Sequence, residues 1–197
     1  MPRRSRYAPP GLCSHVVNRG NDKRRIFFTD ADYDLFIELL IAAKRRAAVS
    51  VFAVCPMPTH FHAVIRPETE GALSTYLQWV TGFYAMDYRA RTDTRGHGHV
   101  FQRRYWNDVA HDEHHLLTQL RYVEANPVKA KLVSEPGDWP WSSYSLRAKH
   151  ANLLLDPLPI VLPDNWRELL LSPQPYAEID RLRHPNRRGR PPDSGGR

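Results

Sequence analysis

The sequence predicts an α+β fold: a ferredoxin-like β-α-β-β-α-β core with an antiparallel sheet and helices on one side, then an added helix and a basic tail. Three observations predict it. Apolar residues recur at helical spacing over residues 29–48 and 72–91. Short runs that alternate or are rich in β-branched residues occupy 12–18, 50–57, 60–66 and 105–110. The order of these runs is strand, helix, strand, strand, helix, strand, which is the split β-α-β pattern.

Taken in order, Leu12 to Asn18 reads as a strand, and Arg19-Gly20-Asn21-Asp22 turns the chain. Ile26-Phe27-Phe28 is extended and leads to a helix start at Thr29-Asp30, with Asp32 and Asp34 in the first turn. That helix runs to about Ala48, its apolar face formed by Leu35, Phe36, Leu39, Leu40 and Ala43. Ser50–Met57 and His60–Arg66 form two strands joined at Pro58-Thr59. A long helix follows over 72–91, with Leu73, Tyr76, Leu77, Val80, Tyr84 and Met86 on its apolar side. Residues 92–99 are a loop, and Val100-Phe101 and Tyr105–Ala110 are extended. Asp112 opens a further helix, expected to end near Asn126 because Pro127 follows. Residues 1–146 make the core domain and 147–197 an extension. From about Pro173 the chain is rich in Pro, Arg and Gly, with six Arg against one Asp in 181–197, and is expected to order only on a partner.

Composition narrows the function. A chain of 197 residues with 42% hydrophobic residues can bury one ordinary core. No apolar stretch is long enough for a bilayer, and no apolar run follows the basic N-terminus, so neither a membrane span nor a secretory signal is expected. Cys13 and Cys55 make neither a disulfide framework nor a metal-ligand spacing, which points to the cytoplasm. The net charge of +7 favours a nucleic-acid partner, because cations that reach phosphates release condensed counterions.

Two segments carry chemistry. His60 and His62 lie two apart on a strand and so project from one face, half of a metal site. Two strand histidines that merely hydrogen-bond locally would look the same. On the helix from Asp112, Leu116, Leu117, Leu120 and Val123 form an apolar stripe. His115, Gln119, Tyr122 and Asn126 share a sector of about 60° on the other side. A solvated face would carry Lys and Glu; neutral hydrogen-bonding groups around a tyrosine suit a helix beside a site. Tyr122 and Asn126 are neighbours at i, i+4. If this helix crosses the histidine face, Asn126 can offer a carbonyl oxygen as a third ligand, and Tyr122 hangs over the same metal. A divalent metal would align a phosphodiester for attack by the phenol. Tyr84, Tyr88 and Tyr105 compete as nucleophiles but lack the polar neighbour and the Asn-Pro stop.

Four stretches extend this reading: His15-Val16-Val17-Asn18-Arg19-Gly20-Asn21, Met57-Pro58-Thr59-His60-Phe61-His62, Arg121 to Ala130 (RYVEANPVKA), and Trp139-Pro140-Trp141-Ser142-Ser143-Tyr144. Together they resemble the single-tyrosine HUH transposases, in particular the REP-associated tyrosine transposase group. The resemblance implies a ferredoxin-like fold, His60 and His62 as ligands of a divalent metal (Mg²⁺ or Mn²⁺), Asn126 as a further ligand, and Tyr122 as the nucleophile toward single-stranded DNA. It also implies a hairpin-bearing DNA partner, the nucleoid as the working place, and a monomer or homodimer. The family's usual Asn before the first histidine is Thr59 here, which can still hydrogen-bond. Imidazole suits Mn²⁺ or Zn²⁺ better than Mg²⁺.

For DNA contacts, the sequence offers Arg19, Asn21, Lys23 and Arg24 beside the first strand, and Arg103 and Arg104 next to Tyr105 and Trp106. Arg188 and Arg190 lie in an Arg-Gly-Arg-Pro stretch of the tail. Trp139, Trp141 and Tyr144 are assigned to packing. Two other functions remain open: a silent hairpin-binding protein that kept the fold, and a zinc hydrolase drawing a third ligand from His97, His99, His111 or His115.

Overall fold

The computed structural model describes residues 7–94, 98–102, 104–149 and 153–183. Its frame is a four-stranded antiparallel sheet of β1 (Ser14–Arg19), β2 (Val49–Met57), β3 (His60–Pro67) and β4 (Trp106–Val109), in the order β2-β3-β1-β4. Helices α1 (Asp30–Ala43) and α2 (Ala72–Arg91) occupy the two crossovers. The predicted β-α-β-β-α-β core is therefore present. It continues into α3 (Glu113–Lys129), α4 (Ser143–Arg147), α5 (Trp166–Leu171) and α6 (Tyr176–Arg183).

Strand alternation divides the sheet into two faces. Val16, Phe61, Ala63, Ile65, Val51 and Val54 are buried with α1 and α2, around Phe36, Leu40, Tyr76, Leu77 and Tyr84. On the other face, Ala53, Cys55, Met57 and Val64 pack with Leu116, Leu120 and Val123 of α3 and Trp166 and Leu170 of α5. The register of β2 on β3 shifts between Val51 and Ala53, so that Val51 and Val54 face one core while Ala53 and Cys55 face the other. The two core helices thus lie on one side, as expected, and α3, added after the core, covers the face that bears His60 and His62. Its apolar stripe has a whole half-sheet of Ala, Cys and Val to bury against.

Four element-level expectations change. First, α1 stops at Ala43 rather than Ala48; its end tightens into i→i+3 bonds such as Arg46 N to Ala43 O at 2.8 Å, and Lys44 turns to Asp156 at 2.7 Å. Second, Met86 of α2 is exposed, and Tyr88 takes the buried place. Third, α3 runs through Pro127 to Lys129. Proline there forfeits one backbone bond near the helix end, while Ala130 N to Asn126 O (2.9 Å) and Leu132 N to Pro127 O (3.0 Å) close the final turn. Fourth, the region after Pro173 is not featureless. Gln174 is buried, its Nε2 donating to Thr118 O at 3.3 Å, and α6 follows with Leu182 buried.

The C-terminal aromatics do pack the fold, as expected. Trp141 stacks on Tyr33 of α1 at 4.3 Å, and Trp139 donates through Nε1 to Pro56 O at 3.0 Å. Trp139 and Trp141 thereby tie the segment after α3 back to the opposite layer.

Gly20, just after β1, holds the turn ahead of β3. Its N–H donates to Thr59 O at 2.8 Å, and a Cβ there would lie 2.5 Å from Arg24 O and 2.8 Å from Ile26 Cγ2. Backbone cannot yield as a side chain can. Gly20→Ala should cost about 1–3 kcal/mol of stability, the usual toll of overpacking. Urea unfolding of the two proteins measures it; equal midpoints would show that this turn is slack.

Candidate active site between α3 and the sheet

Cross-strand pairing assembles the site. Arg19 stands opposite His60, Val17 opposite His62, Asp108 opposite His15, and Trp106 opposite Val17. Directly opposed residues share a face, so His15, Val17, Arg19, His60, His62, Trp106 and Asp108 all point toward α3. All of these but Asp108 floor a cleft of about 890 Å³, which Tyr122, Asn126 and Lys129 of α3 and Ile179 and Leu182 of α6 also line.

The predicted polar face of α3 is the face that meets this floor. His115 Nε2 lies 2.9 Å from Asp108 Oδ2. Gln119 is fully buried and donates through Nε2 to Asp108 O at 3.0 Å and Oδ2 at 3.1 Å. Tyr122 is buried edge-on between two imidazoles, 5.4 Å from His62 and 5.5 Å from His15 by ring centroids. Asn126 lines the cleft, with Nδ2 donating to Tyr122 O at 2.7 Å. Its Nδ2 is thus committed to the helix, and Oδ1 is the atom it can offer a cation. Lys129 Nζ sits 5.3 Å from the Tyr122 ring centre and donates to Gln174 Oε1 at 2.7 Å.

Both predicted ligand histidines are held by Nδ1. Thr59 Oγ1 lies 2.9 Å from His60 Nδ1, the hydrogen bond the sequence allowed for. His62 Nδ1 lies 3.0 Å from His15 Nε2, with the rings stacked at an interplanar angle of 13°. Nε2 is therefore the ring nitrogen not used in these two hydrogen bonds. Burial lowers His60 to about 4, helped by the Arg19 guanidinium. Burial also lowers His15 to about 4, against the opposing pull of Asp108. His15 and His60 are thus neutral near pH 7, and neutral is the form His60 would need as a metal ligand.

His15 is the site residue that sequence reasoning missed. Its signal was parity: in the register adopted, an odd-numbered β1 residue shares the face of even-numbered β3 residues.

The remaining candidates divide. Arg19, Gln102 and Arg104 line the cleft beside Trp106. Asn21, Lys23 and Arg24 do not; Asn21–Lys23 forms a 3-10 turn, with Arg24 Nε donating to Asn21 O at 3.1 Å. Arg103, Arg188 and Arg190 lie outside the described residues. Tyr84, Tyr88 and Tyr105 belong to the core on the far side of the sheet; Tyr84 donates to Ile26 O at 2.7 Å, and Tyr105 bonds Ser74 at 2.9 Å. Among the described residues no group of three or more His, Cys, Asp or Glu could hold a metal ion. This removes His99, His111 and His115 as completers of a zinc site, and His97 lies outside the described residues. The donors that His60, His62 and Asn126 could offer from the cleft lining are two imidazoles and one amide oxygen. Such a set suits a divalent cation that keeps positions open for substrate.

Known proteins match this frame. The family model for IS200-like transposases matches residues 10–126, which include both histidines, Tyr122 and Asn126. A candidate REP-associated tyrosine transposase of Haemophilus influenzae is 28% identical over 123 residues, covering 58% of this chain and 64% of that protein. The chain thus spans under two thirds of that relative's length. The REP-associated tyrosine transposase of Escherichia coli is 23% identical over 139 residues, 70% of this chain and 79% of that protein. A solved structure of a REP-associated tyrosine transposase bound to a REP hairpin superposes with a TM-score of 0.60 at 20% identity, covering 82% of this chain and 95% of that one. With more than half of its residues matched by the family model, the chain belongs to the IS200-like transposase family.

Proposed function

We propose that this protein cleaves and rejoins single-stranded DNA beside a hairpin, with Tyr122 as the nucleophile. The observation that carries the reading is the convergence of Tyr122 with His60 and His62 in one cleft. The names of the relatives support the hairpin as substrate, since one solved relative is bound to a REP hairpin.

The chemistry is an in-line exchange. The Tyr122 oxygen bonds to phosphorus, the bond from phosphorus to the 3′-oxygen breaks, and that oxygen takes up a proton. The 5′-phosphate stays on the tyrosine, so the bond energy is kept for resealing or joining elsewhere. A divalent metal, Mn²⁺ or Mg²⁺, held by His60, His62 and Asn126 would neutralise the scissile phosphate. The chain does the rest. Stacked edges of His15 and His62 fix the Tyr122 ring, and Lys129 sets an ammonium beside it. Arg19 and Arg104 offer cations to the backbone, and Trp106 a flat surface to a base.

Labelled single-stranded hairpin DNA incubated with the protein and Mn²⁺ should yield a covalent adduct on a denaturing gel. Tyr122→Phe and His60→Ala should reduce it to background. An adduct that survives Tyr122→Phe would reassign the nucleophile, and hairpin binding without cleavage under either metal would favour the silent binder. Arg104→Ala should weaken hairpin binding at every sequence and lower the slope of log affinity against log salt by about 0.7; an unchanged slope would take Arg104 off the DNA path.

Neutral buried histidines also link folding to pH. His15 and His60 titrate near 4 in the fold against an ordinary 6.5. Between those values the unfolded chain binds more protons, so stability falls as pH drops from 6.5 toward 4. Urea unfolding of the metal-free protein across that window should show this decline, and His15→Asn should make it shallower. A flat profile would mean the rings are protonated in the folded protein.

A further inference from the structure

We propose that His15 and Gln119 are positioning residues that fix His62 in the tautomer with its proton on Nδ1, keeping Nε2 for the cleft. This rests on the reading of His62 as a metal ligand.

The argument is a count of protons. His62 Nδ1 and His15 Nε2 lie 3.0 Å apart and share one hydrogen. If His62 donates it, neutral His15 must carry its own proton on Nδ1. If His15 donates it, His62 must carry its proton on Nε2, where a metal would have to bind. The two arrangements make opposite demands on whatever faces His15 Nδ1.

That nitrogen is buried and makes no hydrogen bond in the structure. Gln119 Oε1, a pure acceptor, is likewise buried and unmatched. The two belong to one neighbourhood. Asp108 stands across the strand from His15, and Gln119 bonds that same residue twice through Nε2. Gln119 also lies one turn before Tyr122, whose ring touches His15 at 5.5 Å. Within that neighbourhood Gln119 Oε1 is an unmatched acceptor, the kind of group that an Nδ1–H of His15 would need. The converse does not close, because a bare His15 Nδ1 would need a donor and the Gln119 amide hydrogens are already directed at Asp108. Ser14 Oγ is also unmatched, but Ser14 points to the opposite face of the sheet.

The result is a line of groups: Gln119 accepts from His15, His15 accepts from His62, and His62 presents Nε2. Outer partners of this kind orient a ligand ring and raise its basicity. At His60 the partner of Nδ1 is the Thr59 hydroxyl, which can donate or accept.

Long-range ¹⁵N–¹H spectra of the full-length, metal-free protein, recorded near neutral pH, read the tautomers directly. His15 and His62 should both be protonated on Nδ1; a His62 protonated on Nε2 overturns the inference. Gln119→Leu should shift both rings toward mixed tautomers and weaken Mn²⁺ binding by about 10–100-fold, as should His15→Phe for the affinity. Binding is read by the paramagnetic resonance signal of free Mn²⁺. Unchanged affinity in a folded Gln119→Leu protein also overturns it. If that variant does not fold, the wild-type tautomers still decide. A wild-type protein whose Mn²⁺ binding is absent, or is indifferent to His60→Ala, would instead sink the metal-site reading, and the spectra would judge His15 separately.

Discussion

The site depends on how α3 is pinned across the sheet by two buried polar side chains, Gln119 and Glu124. Gln119 is tied to Asp108 of β4. Glu124, with no exposure, accepts from Ser143 Oγ at 2.5 Å and Trp166 Nε1 at 2.9 Å and pairs with Arg147. Apolar packing alone would let a helix slide or roll over Ala, Cys and Val. A buried polar group moved away from its partner loses the bond and keeps the cost of desolvation. One pin reaches the sheet edge and the other the C-terminal segment. Tyr122 lies between them and inherits their precision.

That arrangement explains why a protein of this size carries a long extension after its core. The second face of the sheet has histidines and aspartate along β1, β3 and β4, and apolar residues mainly toward β2. It cannot be sealed by another apolar layer without burying unpaired charge. The extension covers α3 instead, through Trp166 and Leu170, and leaves the polar half of the face as a cleft.

The fold was legible where a single period or a short turn decided it. The alternation of His60 to Arg66 placed both histidines on one face, and the i, i+4 spacing of Tyr122 and Asn126 placed them together. What escaped were facts that belong to pairs of elements. His15 joins His62 only through the register of β1 on β3, and one slip would send it to the other core. The ordering of α6 hangs on Gln174 reaching Thr118 and Lys129, contacts that its Pro- and Arg-rich surroundings do not announce.

Pro127 is the most instructive departure. Read locally, it ends the helix at Asn126, and then Lys129 would belong to a loop. The helix instead absorbs the missing N–H within its last turn, because Pro127 is itself buried and the following amides close on Asn126 and Pro127. Lys129 is then seven residues, about two turns, beyond Tyr122 and on the same side. Its ammonium lies over the tyrosine ring while Gln174 holds it in place. A helix that stopped where proline usually stops it would have placed Tyr122 correctly and removed the Lys129 ammonium from it. The continuation past Pro127 is therefore part of the site, and the buried proline and the amides that close on it deserve to be counted with the residues that line the cleft.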